Sequence, residues 1–442
     1  MSISSNRLFP AGLFSLKRWG LLLAFAICFS APSRTQSVVD CTGTTPGAFT
    51  TINAAVSSAG PGTFILVTGP CNEDVSLSNQ TNIFLGAWYG TRATVNGQIS
   101  VSGSHGVYLY GLDVSSATRT GISVASTQAL ILDSCTSNGN AANGLDLTAS
   151  EALIISPASF DNNARGGINL FGNSTAQLTS WSGQPIDISN NRGPGVYAAQ
   201  SSFYSFGHTT VANNSAGTGS LSGFGVDLRG GGKAQFGAIS GPNIITGNQQ
   251  GGVSLQETAE VSFWNGGSQN LIQNNGPVGV TAGFGSQVTF FTDVEVSGHS
   301  GPALDLYASS QGYLFGANYL HNNGAAGDPR SAAIRVDGNS EAFLRGGSVS
   351  QNIGPAILAL VNSSVDFNGV TFSSNTGGVI ACDSSAYMVA DLATGYTTAP
   401  GVSCRTPHSL GNRLLTKLQP TAPDWSALKA LQSKYMARAT RK

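Results

Sequence analysis

The residues with the most chemistry in this 442-residue chain are carboxylates, an arginine and a tyrosine that fall at one recurring place. Down the chain that place holds Ser123, Asp146, Asn169, Tyr197, Asp227, Ser254, Thr281, Asp305, Arg335, Leu358 and Ile380. Each is the third residue of a phrase that reads small, apolar, variable, apolar, as in Gly144-Leu145-Asp146-Leu147. If the phrase is a strand, its third residue points away from its second and fourth, and neighbouring strands lie about 4.8 Å apart. The third positions then form an outward ladder. In it Asp146, Asn169, Tyr197 and Asp227 make a polar strip with one aromatic. That strip suits sugars, which offer hydroxyls at their edges and apolar faces; an ordinary solvated sheet face has the same composition.

Cutting a glycosidic bond asks for two carboxyl groups about 5–5.5 or 6.5–9.5 Å apart. Asp146 and Asp227 are three rungs apart, as are Asp227 and Asp305, so about 14 Å separates the backbones of each pair. Asp305 and Arg335 are successive. They read either as a catalytic acid beside a substrate-binding arginine or as an ion pair between rungs, which adds little stability. Glu73-Asp74 and the Glu257/Glu260 pair belong to turns and strand starts. The five histidines, His105, His208, His299, His321 and His408, show no metal-ligand spacing, and neither a metal nor another cofactor is expected.

What positions the ladder is the refrain. Its eleven copies begin at Gly121, Gly144, Gly167, Gly195, Gly225, Gly252, Gly279, Ala303, Ala333, Ala356 and Gly378, with gaps of 22 to 30 residues. Such a period implies stacked repeats, each burying its apolar side on its neighbours. Gly is abundant at 57 residues and charged residues are only 10%, well below the ~25% of average domains. Asn pairs precede the refrain at 162–163, 190–191, 213–214, 274–275 and 322–323. Asn tolerates left-handed turns, and stacked Asn side chains can satisfy buried polar groups from rung to rung. After the refrain comes a small polar turn, at Ser174, Ser201, Ser286, Ser310 and Ser340, then a second alternating strand and a short third. Three short strands per repeat, without helical periodicity, describe a solenoid of parallel sheets. A propeller blade needs about 40–50 residues per repeat.

These features resemble the right-handed parallel β-helix proteins of the pectin-lyase-like superfamily over about residues 45–390. The segment Thr50 to Pro61 resembles the helix that caps such rods, with Ile52, Ala55, Val56 and Ala59 on one apolar face. Phe64-Ile65-Leu66-Val67 is expected to open the first rung, in a rod of twelve to thirteen rungs. The resemblance implies carbohydrate chemistry, but the catalytic motifs of its polygalacturonase-like and methylesterase-like members are missing. There is no Asp-Asp pair and no Asn-Thr-Asp; Gly298-His299-Ser300 and Ile334-Arg335-Val336 match only fragments.

The expected fold is therefore all-β: a single-stranded right-handed parallel β-helix over 38–404, with a short capping helix at its start. Residues 1–36 have the order of a signal peptide, Lys17 and Arg18 before an apolar run too short for a comfortable membrane span. No later segment is long and apolar enough to span. Residues 405–442 form a basic tail, with Trp425, Leu428, Leu431 and Tyr435 at helical spacing. Residues 38–404 hold 9 Lys+Arg against 21 Asp+Glu, and 405–442 hold 8 against one, so an acidic body precedes a basic end. An acidic body does not attract nucleic acid.

Function follows less tightly. The expectation is a secreted or cell-envelope protein, non-catalytic, that contacts polysaccharide or serves as a surface rod; the alternative is a lyase or hydrolase with a site of unusual make-up. Inserts lengthen the Asn turn between Asn214 and Gly225 and between Asn323 and Ala333. They are expected to wall a groove beside Tyr197, Asp227, Asp305 and Arg335 that takes a long neutral or weakly charged glycan, with Tyr197→Ala and Asp227→Ala affecting binding but not stability. Export permits disulfides. Cys41 and Cys71 bracket the first ordered segment and Cys382 and Cys404 the last, leaving Cys135 in an apolar alternation. Non-reducing peptide mapping should find those two bridges and a free Cys135; a bridge from Cys135 to any of the four would overturn the pairing.

Overall fold

A computed structural model describes residues 35–88, 90–180, 183–217, 222–328, 331–390 and 404. The proposed signal peptide and basic tail lie outside the described residues. The refrain is a strand, and its copies stack. The eleven copies and the two strands before them, Val75–Ser78 and Ile99–Ser102, make one 13-stranded parallel sheet, the refrain sheet, which ends at Ile380–Cys382. After each refrain strand the chain enters a 15-stranded sheet, here the second sheet, and then a 12-stranded third sheet before the Asn turn returns it to the refrain sheet. Every pairing is with the repeat before or after, and all are parallel, as in the step from Leu145–Thr148 to Ile168–Phe171. This is the right-handed parallel β-helix expected, about fourteen turns long.

Two details differ from the expectation. A strand at Gln36–Asp40 precedes the helix and pairs with Phe64–Thr68, so the second sheet begins one strand earlier. Its sequence, Gln-Ser-Val-Val-Asp, is too short and polar to announce itself. The last refrain copy is displaced by one residue: Ile357 pairs with Ile380 and Leu358 with Ala381. A slip of one residue exchanges the two faces of a strand. Ile380 therefore points inward and is buried, and Ala381 takes the ladder position.

The helix Ile52–Ser58 forms where its apolar face predicts, with Ile52, Ala55 and Val56 buried. The Thr51 hydroxyl accepts from the Ala54 amide at 3.2 Å as its N-cap. The Glu73 carboxylate accepts from the Ile52 and Asn53 amides at 2.5 and 3.2 Å, filling the donors a helix start leaves open. Beside it Cys41 and Cys71 are bridged, with Cα atoms 5.2 Å apart. Cys382 and Cys404 are bridged at the last rungs, with Cα atoms 5.6 Å apart. Cys135 is free and buried, and burial pushes its thiol up to about 12.

Inside the rod the second Asn of the pairs, joined by Asn248, forms a ladder that runs unbroken from Asn163 to Asn275. Asn163 donates from its backbone and side-chain amides to Asn191 Oδ1 at 3.0 and 2.9 Å. Asn191 does the same to Asn214, Asn214 to Asn248, and Asn248 to Asn275, all within 3.1 Å. The other side-chain proton goes to a third-sheet carbonyl, as from Asn214 to Ile188 at 3.1 Å. The side-chain amides of Asn191, Asn214 and Asn248 are thus fully used. The first Asn makes the corner: Asn162, Asn190 and Asn213 have φ of 58°, 58° and 55°. The refrain glycine is where the ladder passes. A Cβ at Gly195 would stand 2.5 Å from Val211 and 2.7 Å from the Asn214 side-chain nitrogen. A hydroxyl ladder lines the opposite turn, with the Thr127, Ser150 and Ser174 amides donating to Ser150, Ser174 and Ser201 at 3.0–3.2 Å. Phe263 stacks on Phe236 and meets Phe290 edge-on in the core, with ring centroids 5.0 and 5.4 Å apart.

His299 interrupts the Asn ladder. It is 2% exposed and its ring nitrogens lie 3.1 Å from the Ile272 carbonyl oxygen and 3.4 Å from that of Asn275. It offers Asn275 no Oδ1. Burial holds its pKa down at about 4, against the usual 6.5. The unfolded chain takes up a proton near pH 6.5 and the native ring only near pH 4, so stability falls as pH drops across that window and this residue adds nothing further below it. The loss amounts to about 3 kcal/mol at most. His299→Asn should complete the ladder and remove that part of the acid sensitivity, read by urea unfolding at pH 7 and pH 4.5. An equal pH dependence in the variant would show that His299 is not its source.

Candidate functional site

The register places the ladder residues side by side. Asp146 pairs with Asn169, Asn169 with Tyr197 and Tyr197 with Asp227 on successive strands of the refrain sheet. Asp305 pairs with Arg335 further along. The sheet brings the first four together and keeps the last two apart from them.

Their chemistry is more committed than their positions suggest. Asp146 accepts from Thr120 Oγ1 at 2.6 Å, Asn143 Nδ2 at 2.7 Å and Asn169 Nδ2 at 3.1 Å. Asp227 is buried, its side chain 2% exposed. Ser222 Oγ donates to it at 2.7 Å and Arg229 Nη2 at 3.0 Å. Ser222 belongs to the insert that was expected to wall a groove beside Asp227. It closes over the carboxylate instead, so Asp227 is a support and not an open contact. Arg335 turns mainly to Asp337, at 2.6 Å, and stands 3.5 Å from both oxygens of Asp305. This is the ion-pair reading of Asp305 and Arg335, widened to three members.

Asp337, Arg229 and Phe171 were missed by following only the third position. Each lies two residues beyond a ladder residue, and alternation puts it on the same face. On that second column Phe171, 39% exposed, meets Tyr197 with ring centroids 5.3 Å apart. Burial, with the Asp227 and Glu257 charges against Arg229, raises the Tyr197 hydroxyl above its ordinary pKa. Phe284, 57% exposed, meets Tyr307 edge-on at 5.7 Å. Tyr307 lies flat over Gly283, where a Cβ would stand 2.3 Å from its ring. The face and its margin therefore carry two aromatic pairs. They stand four strands, or about 19 Å, apart along the rod.

Two carboxyls outside the ladder are pushed above the usual range by burial. Asp133, on the second sheet, accepts from the Tyr108 and Ser134 hydroxyls. Asp161, on the third, accepts from the Ser159 hydroxyl and the Ser189 amide and feels the charge of Asp187. Among the described residues the one group with metal-ligand geometry is Cys41, Cys71 and Glu73, whose cysteines are spent on a disulfide.

Residues 51–182 and 97–266 match the family described as "Right handed beta helix region". With the topology above, the chain is a right-handed parallel β-helix protein. Pectate lyase Pel9A shows 14% identity and a TM-score of 0.42, over 67% of this chain and 80% of that one. The A-module of Azotobacter vinelandii mannuronan C-5 epimerase AlgE6 gives 12% and 0.39, over 77% and 94%. A family 28 exopolygalacturonase of Yersinia enterocolitica gives 12% and 0.32, over 83% and 80%. Comparison with curated proteins yields no match. Likeness at these levels concerns the course of the rod alone. No helix among the described residues is long and apolar enough to cross a membrane.

Asp227→Ala should destabilise the rod by about 1–3 kcal/mol, because it leaves Ser222 and Arg229 without their acceptor. Tyr197→Ala, at a half-exposed position, should cost less. Denaturant unfolding of both variants checks this, and equal, small effects would show that Asp227 supports nothing.

Proposed function

We propose that the protein is an exported rod that contacts polysaccharide through the outer face of its refrain sheet and does not catalyse a reaction on it. The observation that carries this reading is two aromatic pairs, Phe171–Tyr197 on the outer face of the refrain sheet and Phe284–Tyr307 at its margin, where Phe284 stands in the turn after Val280–Ala282. Large aromatics exposed at intervals on a rigid surface mark interaction sites. They stack on the apolar faces of sugar rings, while Asn169 and Thr281, half-buried on the same face, offer an amide and a hydroxyl. The two terminal disulfides support an oxidising compartment, secreted or in the cell envelope.

The carboxylates support binding over catalysis. Asp146, Asp227, Asp305 and Asp337 all spend oxygens on donors of their own chain. A catalytic reading would rest instead on Asp133 or Asp161, the carboxyls that burial raises toward the range of a general acid. In a glycan array Phe171→Ala and Phe284→Ala should each weaken binding about tenfold with little change in thermal stability. Reducing-end and unsaturated-product assays on the bound glycans should stay blank. Product release abolished by Asp133→Asn or Asp161→Asn would establish an enzyme and end this reading.

A further inference from the structure

Five of the eight Lys and Arg described on the acidic body are tied closely to a carboxylate. Arg229 pairs with Asp227 at 3.0 Å, Lys233 with Glu260 at 2.9 Å, Arg335 with Asp337 at 2.6 Å and Arg345 with Asp366 at 2.5 Å; Arg92 pairs with Asp113. Three stand apart. Arg119 has one exposed contact, 3.9 Å from Asp74, and Arg165 and Arg192 have no acidic partner among the described residues. All three are exposed, and all lie in the Asn turn.

The turn stacks them along one edge. The Ala142 amide donates to the Arg119 carbonyl at 3.2 Å and the Arg165 amide to the Ala142 carbonyl at 3.1 Å, so Arg119 and Arg165 are two turns apart. Arg192 follows on the next, its amide donating to the Asn163 carbonyl at 2.9 Å. Here the edge sinks into a shallow depression of about 430 Å³ lined by Ala117, Gly139, Ala141, Asn162, Asn190 and Arg192. Asn162 and Asn190 are the corner residues of their pairs. Their side-chain amides, unlike those of Asn163 and Asn191, make no hydrogen bond among the described residues.

We propose that this edge is a site for phosphate or sulfate groups carried on a polysaccharide. That the carrier is a glycan rests on the function proposed above; the oxyanion site rests on the arginines and amides alone. Guanidinium forks bind oxyanions in two-point contacts. A planar carboxylate is satisfied by one fork. Arg192 lines the depression with the free amides of Asn162 and Asn190, and Arg165 stands one residue along on the preceding turn, stacked on Gly193; together they offer more donors than a carboxylate can use and suit a group with three terminal oxygens. Asp161, next to Asn162, turns its oxygens to the Ser159 hydroxyl and the Ser189 amide. The body, with 9 Lys+Arg against 21 Asp+Glu over 38–404, repels a continuous polyanion, so the charges are spaced along an otherwise neutral chain.

The test uses full-length protein and four dextran-scale probes: sulfated dextran, phosphorylated dextran, neutral dextran and polygalacturonate. The sulfated or the phosphorylated probe should bind, and which one binds identifies the group. Affinity should fall about tenfold or more in the double variant Arg165→Ala/Arg192→Ala and partly in Arg192→Lys, which keeps the charge but loses the fork. Circular dichroism and thermal unfolding confirm that the variants are folded. Unchanged affinity in the double variant overturns the proposal, since the basic residues 405–442 would then carry the binding. So does an equal loss on polygalacturonate, or single-stranded RNA bound with the same loss. Phe171→Ala should weaken neutral glycans, whereas Arg165→Ala/Arg192→Ala should leave neutral glycans unchanged, so the two sites fail separately.

Discussion

The rest of the structure depends on one hydrogen-bonded element, the row of buried asparagines. A parallel solenoid must turn its chain inward at the same place in every repeat, and each turn buries backbone groups that no sheet can satisfy. Asn solves this with one side chain. Its oxygen takes two protons from the turn before, and its nitrogen gives one to the next Asn and one to the third sheet. Because each amide completes its neighbour, the ladder fixes the register of all three sheets together. It also explains the small first residue of the refrain, since the Asn amide packs against it.

That constraint made the fold legible in the sequence. The Asn pair, the glycine or alanine four residues later and the alternating apolar residues are local patterns with one structural solution, so the refrain sheet, the Asn and Ser ladders and the helix at Ile52–Ser58 all follow from them. The register failed only at the last copy, where Gly378 imitates a refrain start that falls on Val379. Repetition fades at the end of a rod, and a one-residue error there exchanges the faces.

The candidate surface was legible in part. Alternation correctly put Asp146, Asn169, Tyr197 and Asp227 in one row. It could not say which of them stay open, because that depends on residues distant in the chain or two places along it. Ser222, in an insert with no pattern, closes Asp227; Arg335 is drawn to Asp337 more than to Asp305. The aromatic platforms were hidden for the same reason, Phe171 lying in the second outward column. The low overall charge conceals a division that only the structure shows: basic residues on the sheets are neutralised locally, whereas those at the Asn turn are not.

The most direct test of the ladder's role is native-state hydrogen exchange resolved by residue. Exchange reports how much of the structure must open to release each amide. If the Asn row is the axis of the rod, the backbone amides of Asn163, Asn191, Asn214 and Asn248 should be among the slowest in the protein. Protection should then step down at Asn275, whose amide meets no Oδ1 because His299 stands next in the row, whereas the His299 amide donates to Asn323 Oδ1 at 3.3 Å. Fast exchange at those four asparagines beneath well-protected sheet amides, or no step at Asn275, would contradict the account.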